Sequence, residues 1–161
     1  MSLPTAVRTL HRRQWVQRPL ETVFEFFEEP ANLAMITPPW LALRLRAPGP
    51  LTMRAGLLID YDVRVLGWTT RWQSLIAEYD PPHGFRDVQI IGPSRRWDHR
   101  HRFRREDGGT AIEDVVIYEP PLGPLGGLLD VLVIRRQLTA IFDYRRARIE
   151  ARFGAAAAVT R

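Results

Sequence analysis

From Arg95 to Arg104 the chain alternates without a break. Arg96, Asp98, Arg100, Arg102 and Arg104 fall on one side of an extended backbone, and Arg95, Trp97, His99, His101 and Phe103 on the other. A continuous row of charge needs water, so the Trp/His/His/Phe row points inward. In the run before it, Phe85–Ile91, the same alternation puts Phe85, Asp87, Gln89 and Ile91 on one face, and Gly92-Pro93 between the runs reads as a hairpin turn. An inward face that carries Asp, Gln and two His beside aromatics makes a poor ordinary core. Each polar group buried without a partner costs about 1–3 kcal/mol. It makes a good wall for a cavity with polar contents, which points to a small-molecule pocket.

The rest of the chain fits around that hairpin. Thr9–Val16 alternates and reads as a first strand; Pro19 then opens a helix with an apolar stripe of Val23, Phe24, Phe26 and Phe27 through about Glu29. Pro30 opens a second short helix, Ala31–Ile36, which Thr37-Pro38-Pro39 ends. Strands are predicted at Leu41–Ala47, Gly56–Leu66, Thr69–Tyr79, Phe85–Ile91, Arg95–Glu106 and Thr110–Glu119, with Asp107-Gly108-Gly109 the strongest tight-turn signal. A long helix is expected over Leu128–Arg152, with Leu128, Leu132, Leu138, Ile141, Phe142 and Ile149 as its apolar stripe. Arg135, Arg136, Arg145, Arg146 and Arg148 occupy much of the remaining surface of that helix. The fold class is therefore α+β: a seven-stranded antiparallel sheet curved around a long C-terminal helix, with two short helices after the first strand. Curving a sheet around one helix leaves a tunnel between them.

At 161 residues the chain fits one domain, taken as residues 1–153, with 154–161 as a disordered tail. It has no cysteine, which excludes disulfides and thiolate metal sites. The first residues lack the apolar core of a secretory signal, and Leu122–Ile134 is broken by Pro124 and Asp130 and too short for a bilayer, so a cytoplasmic location is expected. The net charge is +5, and all 23 basic residues are arginine. They are spread along the chain instead of forming one block, which argues against a nucleic-acid partner and allows at most peripheral membrane contact. A monomer or weak homodimer is expected. Val115 and Ile117 face outward by alternation and form an apolar patch that favours self-association.

With these pieces in place the sequence resembles the bacterial polyketide cyclase/dehydrase-like proteins of the helix-grip superfamily, which also holds the START lipid-transfer domains and the coenzyme Q-binding proteins. The matching segments are Pro19–Phe27 (PLETVFEFF), Pro30–Pro39 (PANLAMITPP), Gly56–Tyr61 (GLLIDY), Arg71-Trp72, Asp87–Phe103, Gly108-Gly109-Thr110 with Asp114, and Leu138–Arg145 (LTAIFDYR). The resemblance spans about Leu10 to Arg148 and implies the helix-grip fold. The function it implies is broader, since one fold hosts carriers, cyclases and regulators.

His99 and His101 project to the same side of their strand, and Asp114 lies across the next turn on a face shared with Ile112, Val116 and Tyr118. If that face is inward, Asp114 pairs with one of the imidazoles and sets its tautomer. Three roles compete: a polar network that only shapes the pocket, orientation of a ligand, and general acid/base catalysis as in a cyclase or dehydratase. Two strand histidines with a carboxylate can also bind zinc, but no further ligand has recognisable spacing, so neither metal nor cofactor is expected. Asp87 and Gln89 either touch the ligand or tie down the loop at Trp97 or the long helix, through Arg145. Tyr61 and Trp72 offer aromatic walls with a polar tip. The expected ligand-contacting set is Tyr61, Trp72, Asp87, Gln89, Trp97, His99, His101, Phe103, Asp114 and Tyr118. Leu122–Leu129 lacks the end of a phosphate-binding loop and reads as a gate over the pocket mouth or a plain connector, with Pro38-Pro39-Trp40 as the opposing lip. No nucleophile elbow, zinc-protease helix or dinucleotide fingerprint is present. An imidazole beside Asp114 is pulled up by the carboxylate and down by burial, so ligand affinity should change between about pH 5 and 8. His11 and His83 would serve as internal controls.

Overall fold

A computed structural model describes residues 7–121 and 128–154 of the chain. Seven antiparallel strands form one sheet: β1 Arg8–Val16, β2 Arg44–Leu45, β3 Leu58–Val65, β4 Trp68–Asp80, β5 Gly84–Ile91, β6 Arg96–Glu106 and β7 Gly109–Glu119. Their order across the sheet is β1-β7-β6-β5-β4-β3-β2, so the first strand closes against the last. Helix α1 spans Leu20–Phe27 and helix α2 spans Arg135–Phe153. This is the helix-grip architecture. Two connections are two-residue turns: Asp107 and Gly108 both have positive φ, as do Leu66 and Gly67, which is the geometry that matches strand twist in a tight hairpin.

Three segments depart from expectation, each for a local reason. The strand expected at Leu41–Ala47 shrinks to Arg44–Leu45, because Pro38 and Pro39 start a 3-10 turn at Pro39–Leu41 and Ala42 turns the chain with φ 44°. The second short helix is 3-10 throughout Pro30–Ile36, with the Glu29 side chain accepting from the Ala31 amide at 3.2 Å. The C-terminal helix begins with a wide π-turn, Asp130–Ile134, before α2 proper. That extra width turns the stripe, so Leu128 and Leu132, expected inward, are exposed while Asp130 is fully buried. Val115 and Ile117 are half-buried on the outer face, flanked across their strand pairs by Thr9, His11, Asp98 and Arg100. Residues 155–161 of the expected tail and most of the Leu122–Leu129 segment lie outside the described residues, while Gly154 caps the last helix.

The core is concentrated at one end. Phe24 and Phe27 of α1 pack on Phe103 with ring centroids 5.5 and 4.9 Å apart, and Phe26 meets Phe153 at the end of α2 at 5.6 Å. Burying each such ring is worth about 2–3 kcal/mol. A second cluster, Val116, Tyr118, Leu138 and Phe142, joins β7 to the middle of α2. Between these clusters the sheet and helix do not close on each other.

Gly84 begins β5 where a Cβ would collide with the His101 carbonyl oxygen on β6. Gly84→Ala must push the two strands apart, and we expect a loss of about 2 kcal/mol in urea unfolding. Unchanged stability would show that this strand contact is not close-packed.

Candidate functional site

Inward-facing residues of β3 to β7, the 3-10 helix and α2 enclose a cavity of about 340 Å3. Ile59, Tyr61, Val63 and Trp72 line the sheet side, Leu33 and Ile36 the 3-10 side, and Leu138, Ile141 and Phe142 the helix side. Trp72 and Trp97 meet edge to face, with centroids 5.2 Å apart. The wall is largely apolar; Ser74, Asp87, His99, His101 and Arg145 converge at one corner, and Glu29, Asn32, Thr37, Ser94 and Gln137 also line it.

Strand register builds this polar corner. Asp87 on β5 lies opposite His99 on β6, and His101 lies opposite Asp114 on β7, so two acids flank two imidazoles whose ring centroids are 3.7 Å apart. His99 donates from Nε2 to Asp114 Oδ1 at 2.9 Å, while its Nδ1 is 3.8 Å from Asp87. His101 donates from Nε2 to Asp87 Oδ1 at 3.1 Å. Its Nδ1 is 3.0 Å from Asp114 Oδ1, close enough to pair by charge though off the line of a hydrogen bond. Phe85 stacks on the His101 ring at 4.2 Å. Ser74 takes the Trp72 indole N–H at 3.0 Å and donates to Asp87 Oδ2 at 3.5 Å. Opposite, Arg145 of α2 brings Nη1 to 3.8 Å from Asp114 Oδ1 and lies over the Phe142 ring.

These contacts divide the imidazoles. Burial opposes charge on both. For His99 burial and the neighbouring His101 prevail and its pKa falls below the ordinary 6.5. For His101 the carboxylates of Asp114 and Asp87, one at each nitrogen, outweigh burial and raise it. Burial would raise Asp87 and Asp114, but the imidazoles hold both below the usual carboxylate range, Asp114 furthest. Burial, with Asp87 nearby, pushes the Tyr61 phenol up. Asp87, His99 and His101 place ligand atoms within 4.8 Å of one another, a spread that fits one divalent ion. Binding one would break the Asp87–His101 hydrogen bond.

Of the residues picked from sequence, Tyr61, Trp72, Asp87, Trp97, His99, His101 and Tyr118 line the cavity. Asp114 stands behind the imidazoles. Gln89 instead ties the hairpin turn, donating to the Ser94 carbonyl at 2.7 Å and accepting from its amide. Phe103 lies in the aromatic core. Tyr118 turns its hydroxyl to the buried Asp130 at 2.8 Å, and burial together with that hydrogen bond raises its pKa to about 12. His11 sits outside on the sheet, 2.6 Å from Glu113, and His83 in the exposed β4–β5 turn. The sequence sets Arg145 among the arginines on the rest of the helix surface and offers it only as a tie to Asp87 and Gln89, without placing it in the cavity wall. Its spacing from Leu138, Phe142 and Ile149 was the available signal that it shares their buried face.

Residues 16–142 match the family described as polyketide cyclase / dehydrase and lipid transport, and the chain belongs to it. Among solved structures, a protein from Chromobacterium violaceum superposes with TM-score 0.70 at 13% identity over 92% of this chain and 98% of its own. The Zhui aromatase/cyclase from a Streptomyces species gives 0.64 at 15% identity over 90% and 95%. A ginseng major latex-like protein from Panax ginseng gives 0.63 at 13% identity over 91% and 97%. Among curated proteins no sequence match is found. Among the described residues no helix is long and apolar enough to cross a membrane.

An NMR titration should show His101 titrating above 6.5 and His99 below it. A raised pKa means that the folded state holds the proton more tightly. The contribution of His101 to stability is therefore full below pH 6.5 and lost as pH rises through its folded value. His99 and the two acids run the other way and lose their contributions as pH falls. Asp114→Asn should cost about 3 kcal/mol in urea unfolding and lower the His101 pKa. Two rings that both titrate near 6.5 in the wild-type protein would refute this arrangement.

Proposed function

We propose that this protein binds an apolar or aromatic small molecule bearing a few polar groups, of the lipid, isoprenoid, quinone or polyketide kind, without turning it over. The observation that carries this reading is the largely apolar cavity of about 340 Å3 with a cluster of charged groups at one corner. That volume falls at the lower end of small-molecule sites, and the mixture of lining residues is theirs too. The family, which joins lipid transport with cyclases, supports the same class of ligand. We place its action in the cytoplasm, as a monomer or weak dimer.

A second reading makes the protein a polyketide cyclase or dehydratase. The histidine pair held between two carboxylates favours it, because such a pair can hold and release a proton beside a bound carbonyl compound. Likeness in fold to an aromatase/cyclase fits this reading as well. Turnover of a poly-β-ketone substrate that disappears in both His99→Ala and His101→Ala would establish it.

Binding is tested with the neutral fluorophore N-phenyl-1-naphthylamine and by native mass spectrometry of protein from its own source. Wild-type protein should brighten the probe, and Ile141→Trp, which fills the cavity from the helix side, should reduce binding at least tenfold. A protein that is repeatedly empty and does not brighten the probe would overturn the proposal.

A further inference from the structure

Arg145 is charged, 8% exposed and incompletely satisfied. Its Nε and Nη1 are buried with no hydrogen-bond acceptor, and its nearest carboxylate, Asp114, stands 3.8 Å away. A guanidinium does not lose its proton in a protein, so titration cannot relieve the mismatch. Leaving a buried charged donor unmet is among the costlier defects a fold can carry. The neighbouring acceptors are already engaged: Asp114 by His99, and Asp87 by His101 and Ser74. The group also faces a cavity instead of solvent.

Arginine only donates, so whatever completes Arg145 must accept. Resting on the binding role proposed above, we propose that Arg145 is the head-group site of the cavity and takes the carboxylate of an apolar acid, whose chain lies along the Trp72 and Ile141 walls. A carboxylate is favoured over a neutral carbonyl because it offers two oxygens to the planar guanidinium fork and opposes its charge as well.

The probes are decanoate and methyl decanoate, which differ little beyond the charge, each displacing N-phenyl-1-naphthylamine from the wild-type protein. We expect decanoate to bind at least tenfold tighter than the ester. Arg145→Met should bring decanoate down to the ester's affinity on the same variant. In wild-type protein, which removes any question of folding, decanoate should shift the NMR signal of the Arg145 Nε–H further than the ester does. Equal affinity for acid and ester, or a preference that survives Arg145→Met, overturns the head-group site while leaving the cavity intact. Failure of the wild-type protein to take up N-phenyl-1-naphthylamine overturns the binding role itself.

Discussion

Asp114 accepts from one imidazole, pairs by charge with a second and faces a guanidinium, all from one buried position on β7. A carboxylate in that position is tolerable only because cations and donors surround it; alone it would protonate or unfold the strand. Its partners come from β6 and α2, so the acid links the sheet to the helix across the rim of the cavity. Asp87 repeats the arrangement from β5. The polar corner is thus bound into the register of three strands, and a slip of one residue would turn both imidazoles to solvent.

Much of this was visible in the amino-acid order. The alternation of β6 shows its faces because a row of arginines admits one orientation, and Asp107-Gly108 marks a turn whose two positive φ angles Gly and Asp tolerate. Alternation assigns a face without assigning a depth along the strand. Phe103 shares a face with His101, yet α1 covers the one and the cavity lies over the other. Gln89 shares a face with Asp87, but β4 carries register shifts beside this strand, and the side chain serves its own turn. Arg145 was legible only as a tie to Asp87 and Gln89, and its burial was not, for a different reason. A charged residue is normally read as solvated, and only three-dimensional packing shows one set into an apolar stripe.

The division of the interior into a filled end and a hollow end follows from where the aromatic rings fall. Phe26 of α1 meets Phe153 at the last turn of α2, while Phe24 and Phe27 pack on Phe103 of β6. Toward the other end the space over Trp72 and Trp97 is left to whatever the cavity holds. Family membership and fold similarity do not choose the occupant. The lining groups do.

The π-turn at Asp130–Ile134 has a mechanical consequence. Asp130, fully buried, receives the Tyr118 hydroxyl and lies 3.2 Å from both Arg8 Nε and Arg135 Nη2. The helix is therefore clamped near its start by a knot of charge and at its far end by aromatic packing, with Leu138 and Phe142 seated on β7 between them. The two clamps also differ in kind. One weakens as salt screens its partly exposed arginines, the other as cold weakens apolar contacts. Solvent conditions thus decide which end of the span gives way first.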